Sequence, residues 1–400
     1  VGSEMCIRDR YSGNAAFQTI KRIMKKYLCI LLSALLAACG TKNAATPVLP
    51  DAEAFETTVD GKPVALYTLA NSTGFTVQIT NFGARVVSIL APDRNGRMAD
   101  VAVGCESIGR YLDEGEARFS GPVVGRFANR IAEGRFTLDG TQYRLPQNDN
   151  GQSLHGGVKG LDSRVWTVDS HSADSIVMHY VSPDGEEGYP GELTVQVTYA
   201  VTDDNALRIG YRARTDRPTV VNLSNHTLFN LGGEGSGTIL GHELWIDAEA
   251  TTPVDSVLIP TGRIAPVGGT PFDFRTPALI GARIDADDEQ LRNGHGYDHN
   301  WVLGNFTGAV RLVASLYDPA SGRKMEILTD QPGIQFYSGN FFNDGSCGKF
   351  GRKIGYRGAV ALETQHFPDA PNHPQFPSTL LRPGETYTPV SYTHLRAHET

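Results

Sequence analysis

Two residues stand where an acid and a base could each be held rigidly near neutral pH. His226 lies among short polar residues inside the apolar run Val221-Asn222-Leu223-Ser224-Asn225-His226-Thr227-Leu228-Phe229-Asn230-Leu231, which reads as one strand-like stretch. A histidine in such a run is either buried with partners or doing chemistry. Glu363 closes a second apolar run, Ala359-Val360-Ala361-Leu362-Glu363-Thr364-Gln365-His366, and shares a strand face with Gln365 by the two-residue period. An imidazole and a carboxyl group on rigid elements can move two protons in one reaction, sugar-ring chemistry as readily as any other.

Three further stretches could surround such a pair. Gly125-Arg126-Phe127-Ala128-Asn129-Arg130-Ile131 offers two arginines and an asparagine; a guanidinium's fixed donors suit adjacent hydroxyls, or equally the carbonyls of a loop. Asn150-Gly151-Gln152-Ser153-Leu154-His155-Gly156-Gly157 sets His155 before paired glycines, where backbone could approach a ligand closely or simply turn. His295-Gly296-Tyr297-Asp298-His299-Asn300-Trp301 has the residue types of a zinc site. Gly296 argues against the helix that would align its two histidines, so Asp298 is read as an acceptor for sugar hydroxyls and no metal is expected.

The elements that must carry these residues are strands. Leu193, Val195, Val197, Tyr199 and Val201 alternate with Thr194, Gln196, Thr198 and Ala200, and the pattern recurs in Leu207, Ile209, Tyr211 and Ala213. Extended runs also fall at Phe75 to Thr80, Ala84 to Leu90, Ile176 to Tyr180, Val310 to Leu316, Met325 to Thr329 and Ala359 to Glu363. Turn signals such as Asp60-Gly61, Asp139-Gly140 and Pro183-Asp184-Gly185 separate them. No stretch reads as a helix longer than two turns. The expected class is all-β, a large antiparallel sandwich with few short helices, forming one domain over 54–388.

Both ends are set apart from that domain. Met5-Cys6-Ile7-Arg8 can be written ATG TGT ATA AGA, whose reverse complement encodes Ser391-Tyr392-Thr393-His394. Residues 1–10 and 389–400 are therefore expected to be a translated adapter, excluded from fold reasoning, with the natural C-terminal strand cut short after Thr388. Residues 11–23 read as untranslated leader, because a better start follows. Met24, Lys25 and Lys26, the apolar Tyr27 to Leu35, and Leu36-Ala37-Ala38-Cys39 resemble a bacterial lipoprotein signal over 24–38. Cys39 would then be the lipidated first residue, a polar tether would occupy 39–53, and the domain would sit at the cell envelope on acyl chains.

Composition narrows the partners. Of five cysteines, only Cys105 and Cys347 fall inside the expected domain, and they are read as free thiols. Residues 39–388 hold 29 basic and 41 acidic residues, a net charge of −12 without basic blocks, which excludes nucleic acid as a natural partner.

Together, in order and spacing, these stretches resemble the aldose 1-epimerases, or galactose mutarotases. The segments that carry the resemblance are Asn81-Phe82-Gly83-Ala84, Gly125 to Ile131, Leu154-His155-Gly156-Gly157 followed by Trp166, Gly188-Tyr189-Pro190-Gly191, Asn222-Leu223-Ser224-Asn225-His226, Tyr297-Asp298-His299 and Leu362-Glu363-Thr364-Gln365. The resemblance covers roughly Ala54 to Thr388. It implies a galactose-mutarotase-like supersandwich whose concave face binds a free hexose without cofactor or metal, in a monomer. It places the acid on His226, the base on Glu363, and substrate contacts on Asn129, Arg130, His155, Asp298 and Gln335.

The chain departs from the pattern at Ser120-Gly121-Pro122-Val123, where members often carry a tyrosine, so a sugar contact is expected to be missing there. Three other readings compete. A hexose-6-phosphate epimerase needs more cationic groups for the phosphate. A glycoside hydrolase or lyase calls for a matched carboxylate pair, and only one strong candidate stands out. A non-catalytic carbohydrate-binding lipoprotein would not need the acid and base together.

Overall fold

The alternation of Leu193–Val201 folds as read: its odd residues are buried and its even ones partly exposed, in a strand paired with Ser175–Ser182 on one side and Ala206–Thr215 on the other. We describe residues 47–113, 117–304, 306–343, 345–346 and 348–397 of a computed structural model. Among them the strands are antiparallel throughout the two large sheets, and the α-helices are the short Ile108–Leu112 and Glu289–Gly294. The described residues form one compact unit.

Nine strands make the first large sheet, in the order Thr167–His171, Ser175–Ser182, Leu193–Val201, Ala206–Thr215, Val390–Ala397, Arg323–Thr329, Arg311–Tyr317, Glu243–Ile246 and Ala278–Leu279. Seven make the second: Ala265–Pro266, Ala248–Thr252, Asp298–Leu303, Gly333–Tyr337, Val360–Gln365, Leu228–Phe229 and Ala102–Val103. One core is shared between them, with Val195, Val197, Leu316 and Ile327 from the first sheet and Trp301, Ile334, Phe336 and Leu362 from the second. Because successive side chains alternate, spending Trp301, Ile334, Phe336 and Leu362 on the core sends Asp298, Asn300, Gln335, Tyr337 and Glu363 to the opposite face. The sheet thus presents a polar surface on the side away from its packing partner, and that surface is where chemistry can occur.

The run Val221 to Leu231 is not the single strand its composition suggests. It breaks into Ser224–Asn225, paired with Val123–Val124, and Leu228–Phe229, paired with Val360–Gln365 and Ala102–Val103. Its polar residues explain the break. Asn225 Oδ1 accepts from Thr227 N at 3.2 Å, a side-chain turn that competes with a continuous ladder.

The ends of the domain also differ from expectation. The tether does not reach 53: Ala52–Phe55 is a 3-10 helix capped by Asp51, and Phe55 is fully buried. At the other end, the fold does not stop at Thr388. Val390–Ala397 is an interior strand, its residues 390–394 paired with Ala206–Gly210 and its residues 391–397 with Arg323–Thr329, and Leu395 enters the core. The physical reason is the ladder itself. Two strands facing each other across one vacant position offer two rows of unpaired backbone groups, and an extended segment of almost any sequence satisfies both. Cys39 and the segment 24–38 lie outside the described residues, as does Cys347; Cys105 is a buried free thiol.

Candidate active site

Register brings His226 and Glu363 together. Leu228 pairs with Ala361 and Phe229 with Val360, so continuing the antiparallel count by two residues sets His226 opposite Glu363. His226 has left the strand by then, but its backbone stays clamped: its N–H donates to Pro122 O and its C=O accepts from Gly121 N, both at 2.9 Å. Its Nε2 lies 3.6 Å from Glu363 Oε1, and both residues are buried.

They line a cavity of about 200 Å³ with Asn129, Arg130, His155 and Asp298 at its polar side. Apolar residues including Phe119, Leu228, Tyr337 and Phe341 form the remaining wall. Arg130 reaches in from the loop after residue 124, its Nε donating to Asp149 Oδ2 at 2.8 Å. Asp149, which sequence reasoning passed over as a loop acid, therefore aims the guanidinium. Asn129 adopts φ 65°, a left-handed conformation asparagine tolerates, and its backbone N–H donates to His155 Nδ1 at 3.1 Å. That bond assigns the tautomer. With its lone pair at Nδ1, a neutral His155 carries its proton on Nε2 and acts as a hydrogen-bond donor.

Burial sets the protonation states. Desolvation, reinforced by the nearby Asp298 charge, pushes the Glu363 carboxyl well above its ordinary range, while Arg130 opposes the shift. Burial lowers His226, with the backbone of His226 and Phe119 and the charge of Asp298 pulling the other way. His155 is held well below its usual value by burial first and then by the neighbouring His226 and Arg130 charges. Asp298 is raised by burial against the pull of Arg130 and of Gln335. Burial thus favours the uncharged form of both Glu363 and His226. Glu363 Oε2 makes no hydrogen bond among the described residues although it is buried, which leaves an unsatisfied acceptor beside the cavity.

Other expectations are redistributed. Gln335 does not line the cavity; its Nε2 donates to Asp298 Oδ1 at 2.7 Å, so it orients a cavity residue rather than forming the wall. Arg126 is the loop-holding arginine of its pair. It is buried and donates to the carbonyls of Ser182, Pro190 and Gly191. Gly156 and Gly157 do serve close approach, but to protein: a side chain at Gly156 would strike the Gly125 carbonyl, and one at Gly157 the Glu187 carboxylate. His295 ends the short helix in a left-handed cap while His299 is buried against Phe272, so these two make no metal site.

The donor atoms of His155, His226 and Glu363 lie within 4.8 Å of one another, close enough to raise the question of a cation there. The Asn129 bond argues against it. A metal on His155 Nε2 would drive the ring proton to Nδ1, against the N–H that already points at it.

Sequence reasoning marked none of the apolar wall residues as part of the site, Phe119 among them. Phe119 fills the side near Ser120-Gly121-Pro122-Val123, where a sugar contact was expected to be missing, and its ring lies 4.8 Å from His155 and 6.1 Å from His226 between centroids. Its apolar character beside a loop of small residues gave no signal.

Comparison with known proteins follows the same lines. A family model described as aldose 1-epimerase matches residues 65–391. Galactose mutarotase from Rattus norvegicus is 46% identical over 316 residues, spanning 79% of this chain and 90% of that protein. Aldose 1-epimerase from Escherichia coli is 37% identical over 334 residues, spanning 83% and 95%. Among solved structures, an aldose epimerase homologue from C. elegans superposes with a TM-score of 0.77 at 31% identity, covering 84% of this chain and all of the other. Galactose 1-epimerase from Lactobacillus acidophilus gives 0.74 at 28% identity, covering 86% and 97%.

Proposed function

The chain belongs to the aldose 1-epimerase family and is a mutarotase, and on that premise we propose that Glu363 and His226 are the base and acid that open and reclose the ring of a free aldohexose such as galactose or glucose. The observation that carries the assignment is the 3.6 Å approach of His226 Nε2 to Glu363 Oε1 at the wall of the cavity.

The step balances without a cofactor. Glu363 takes the proton of the C1 hydroxyl, whose oxygen becomes the aldehyde carbonyl as the C1–O5 bond breaks. The bond's electrons go to O5, which takes a proton from His226. Rotation about C1–C2 presents the other carbonyl face, and reclosure returns both protons to their donors. His155 Nε2–H, the Arg130 guanidinium and Asp298 supply the donors and acceptor that hold the remaining hydroxyls, with Gln335 keeping Asp298 in place. Each positioned proton transfer contributes typically ~10²–10⁴-fold.

The test is polarimetry of freshly dissolved α-glucose and α-galactose against the corresponding 6-phosphates. Faster decay of optical rotation with the free sugars supports the reading. Acceleration confined to the phosphates would transfer the assignment to a sugar-phosphate epimerase, and none with either would leave a binding protein.

For the chain's location, the Leu36-Ala37-Ala38-Cys39 sequence supports lipidation at Cys39 and attachment to a bacterial envelope membrane. Mass spectrometry of the mature N-terminus and release of a Cys39→Ala variant into the soluble fraction test this. The expected monomer is checked by sedimentation.

A further inference from the structure

The mechanism gives no part to Phe119, yet no other described aromatic ring contacts both imidazoles. Its centroid lies 4.8 Å from that of His155 and 6.1 Å from that of His226, while the two imidazoles meet edge to face at 5.2 Å. The three rings form one packed cluster on the wall of the cavity. Phe119 does not find this place by general burial, since it is only partly covered. It is held from two sides. Arg85, itself buried, donates through Nη1 to the carbonyls of Arg118 at 2.7 Å and Ser120 at 2.8 Å, which fixes the backbone on either flank of the ring. The Arg118 guanidinium then lies 4.8 Å from the ring centroid, anchored by Asp162 at 2.8 Å and the Gly157 carbonyl at 3.1 Å. Two arginines and a buried aspartate are a costly apparatus for one partly buried phenylalanine unless its position matters.

Building on the acid–base reading above, we propose that Phe119 is a positioning residue of the reaction, bracing the His155 and His226 rings in their working orientation and shielding both from water. An imidazole free to swing misdirects its proton, and His155 exposed to solvent would gain the charged form and lose the lone pair that Asn129 N–H meets. The charged and titratable groups around the pair are Glu363, Asp298 and Arg85 for His226, and His226, Arg130 and Arg118 for His155. None of these is removed by changing Phe119, so the effect of the ring can be read separately.

Phe119→Leu keeps an apolar side chain but loses the ring, and Phe119→Tyr keeps the ring. We expect the leucine variant to lose roughly ten- to a hundredfold in kcat, with KM changed by less than about threefold, and the tyrosine variant to recover most of that loss. NMR titration of the two imidazoles, assigned with His155→Asn and His226→Asn, should move toward higher pH in the leucine variant. Arg118→Lys, which keeps the charge that acts on His155 but loosens the hold on the ring, should shift both readouts the same way by less, and it serves if the leucine variant fails to fold. Wild-type kcat and titrations in Phe119→Leu would overturn the proposal. So would a loss confined to KM, which marks a mere wall for the sugar, or an equal loss in Phe119→Tyr with unmoved titrations. The titrations require no turnover, so an inactive wild type would refute the mutarotase assignment while leaving this inference separately tested.

Discussion

His226 and Glu363 face each other because of a strand register: Leu228 pairs with Ala361, and two further residues along each chain bring an imidazole nitrogen to 3.6 Å from a carboxylate oxygen. The two runs are distant in sequence, and a one-residue slip would turn Glu363 into the core and separate them.

The first prediction concerns the chemistry. Glu363→Gln and His226→Asn should each lower kcat by about 10²–10⁴-fold, measured by polarimetry, with sugar affinity by calorimetry changed far less. Near wild-type mutarotation in either variant would remove that residue from the mechanism.

A second follows from the opposed shifts of the pair. Activity requires one proton held between the two groups, so it should fall in acid as the pair gains a second proton and in base as it loses the only one. The resulting bell belongs to the pair, and its acid limb should vanish from the residual rate of Glu363→Gln, where only His226 is left to lose a proton. A flat profile across both limbs would contradict a shared proton.

Stability should carry the same signature with a definite sign. Glu363 is raised in the folded protein, so its contribution is fully present below about 4.5 and is lost as pH rises through its folded value. Glu363→Gln removes that loss without changing shape. Its Tm should therefore match the wild type in acid and exceed it increasingly at alkaline pH. A Tm difference independent of pH would show that the carboxylate pays no burial cost.

Asp149 should matter chiefly through Arg130. Asp149→Asn weakens the bond that aims the guanidinium, and KM should rise roughly tenfold while kcat changes little, the cost of one charge-assisted hydrogen bond. A fall in kcat at constant KM would instead place Arg130 in the bond-breaking step.

The last prediction concerns the C-terminus. Removing 389–400 takes away a strand paired on both sides and opens two ladder edges in the middle of the nine-stranded sheet. The shortened chain should lose Tm and aggregate, seen by light scattering on heating. Unchanged Tm and solubility would mean that this strand adds nothing to the sheet.

The sequence by itself determined the fold class and the family, because alternation in Leu193–Val201 and its counterparts is a local pattern and the motifs around Arg130, His155, His226 and Glu363 occur in a fixed order. It also singled out His226 and Glu363, since a titratable side chain within an apolar run is visible without coordinates. Tertiary structure alone decided the division of labour: Arg126 holding carbonyls while Arg130 enters the cavity, Gln335 orienting Asp298, Asp149 aiming Arg130, and Phe119 packing on both imidazoles. It also closed the sheet with Val390–Ala397, a segment whose own sequence gave no reason to expect it there. These outcomes depend on which groups meet across long stretches of chain. Periodicity records which face a residue takes, but the partner on that face is chosen by register and packing.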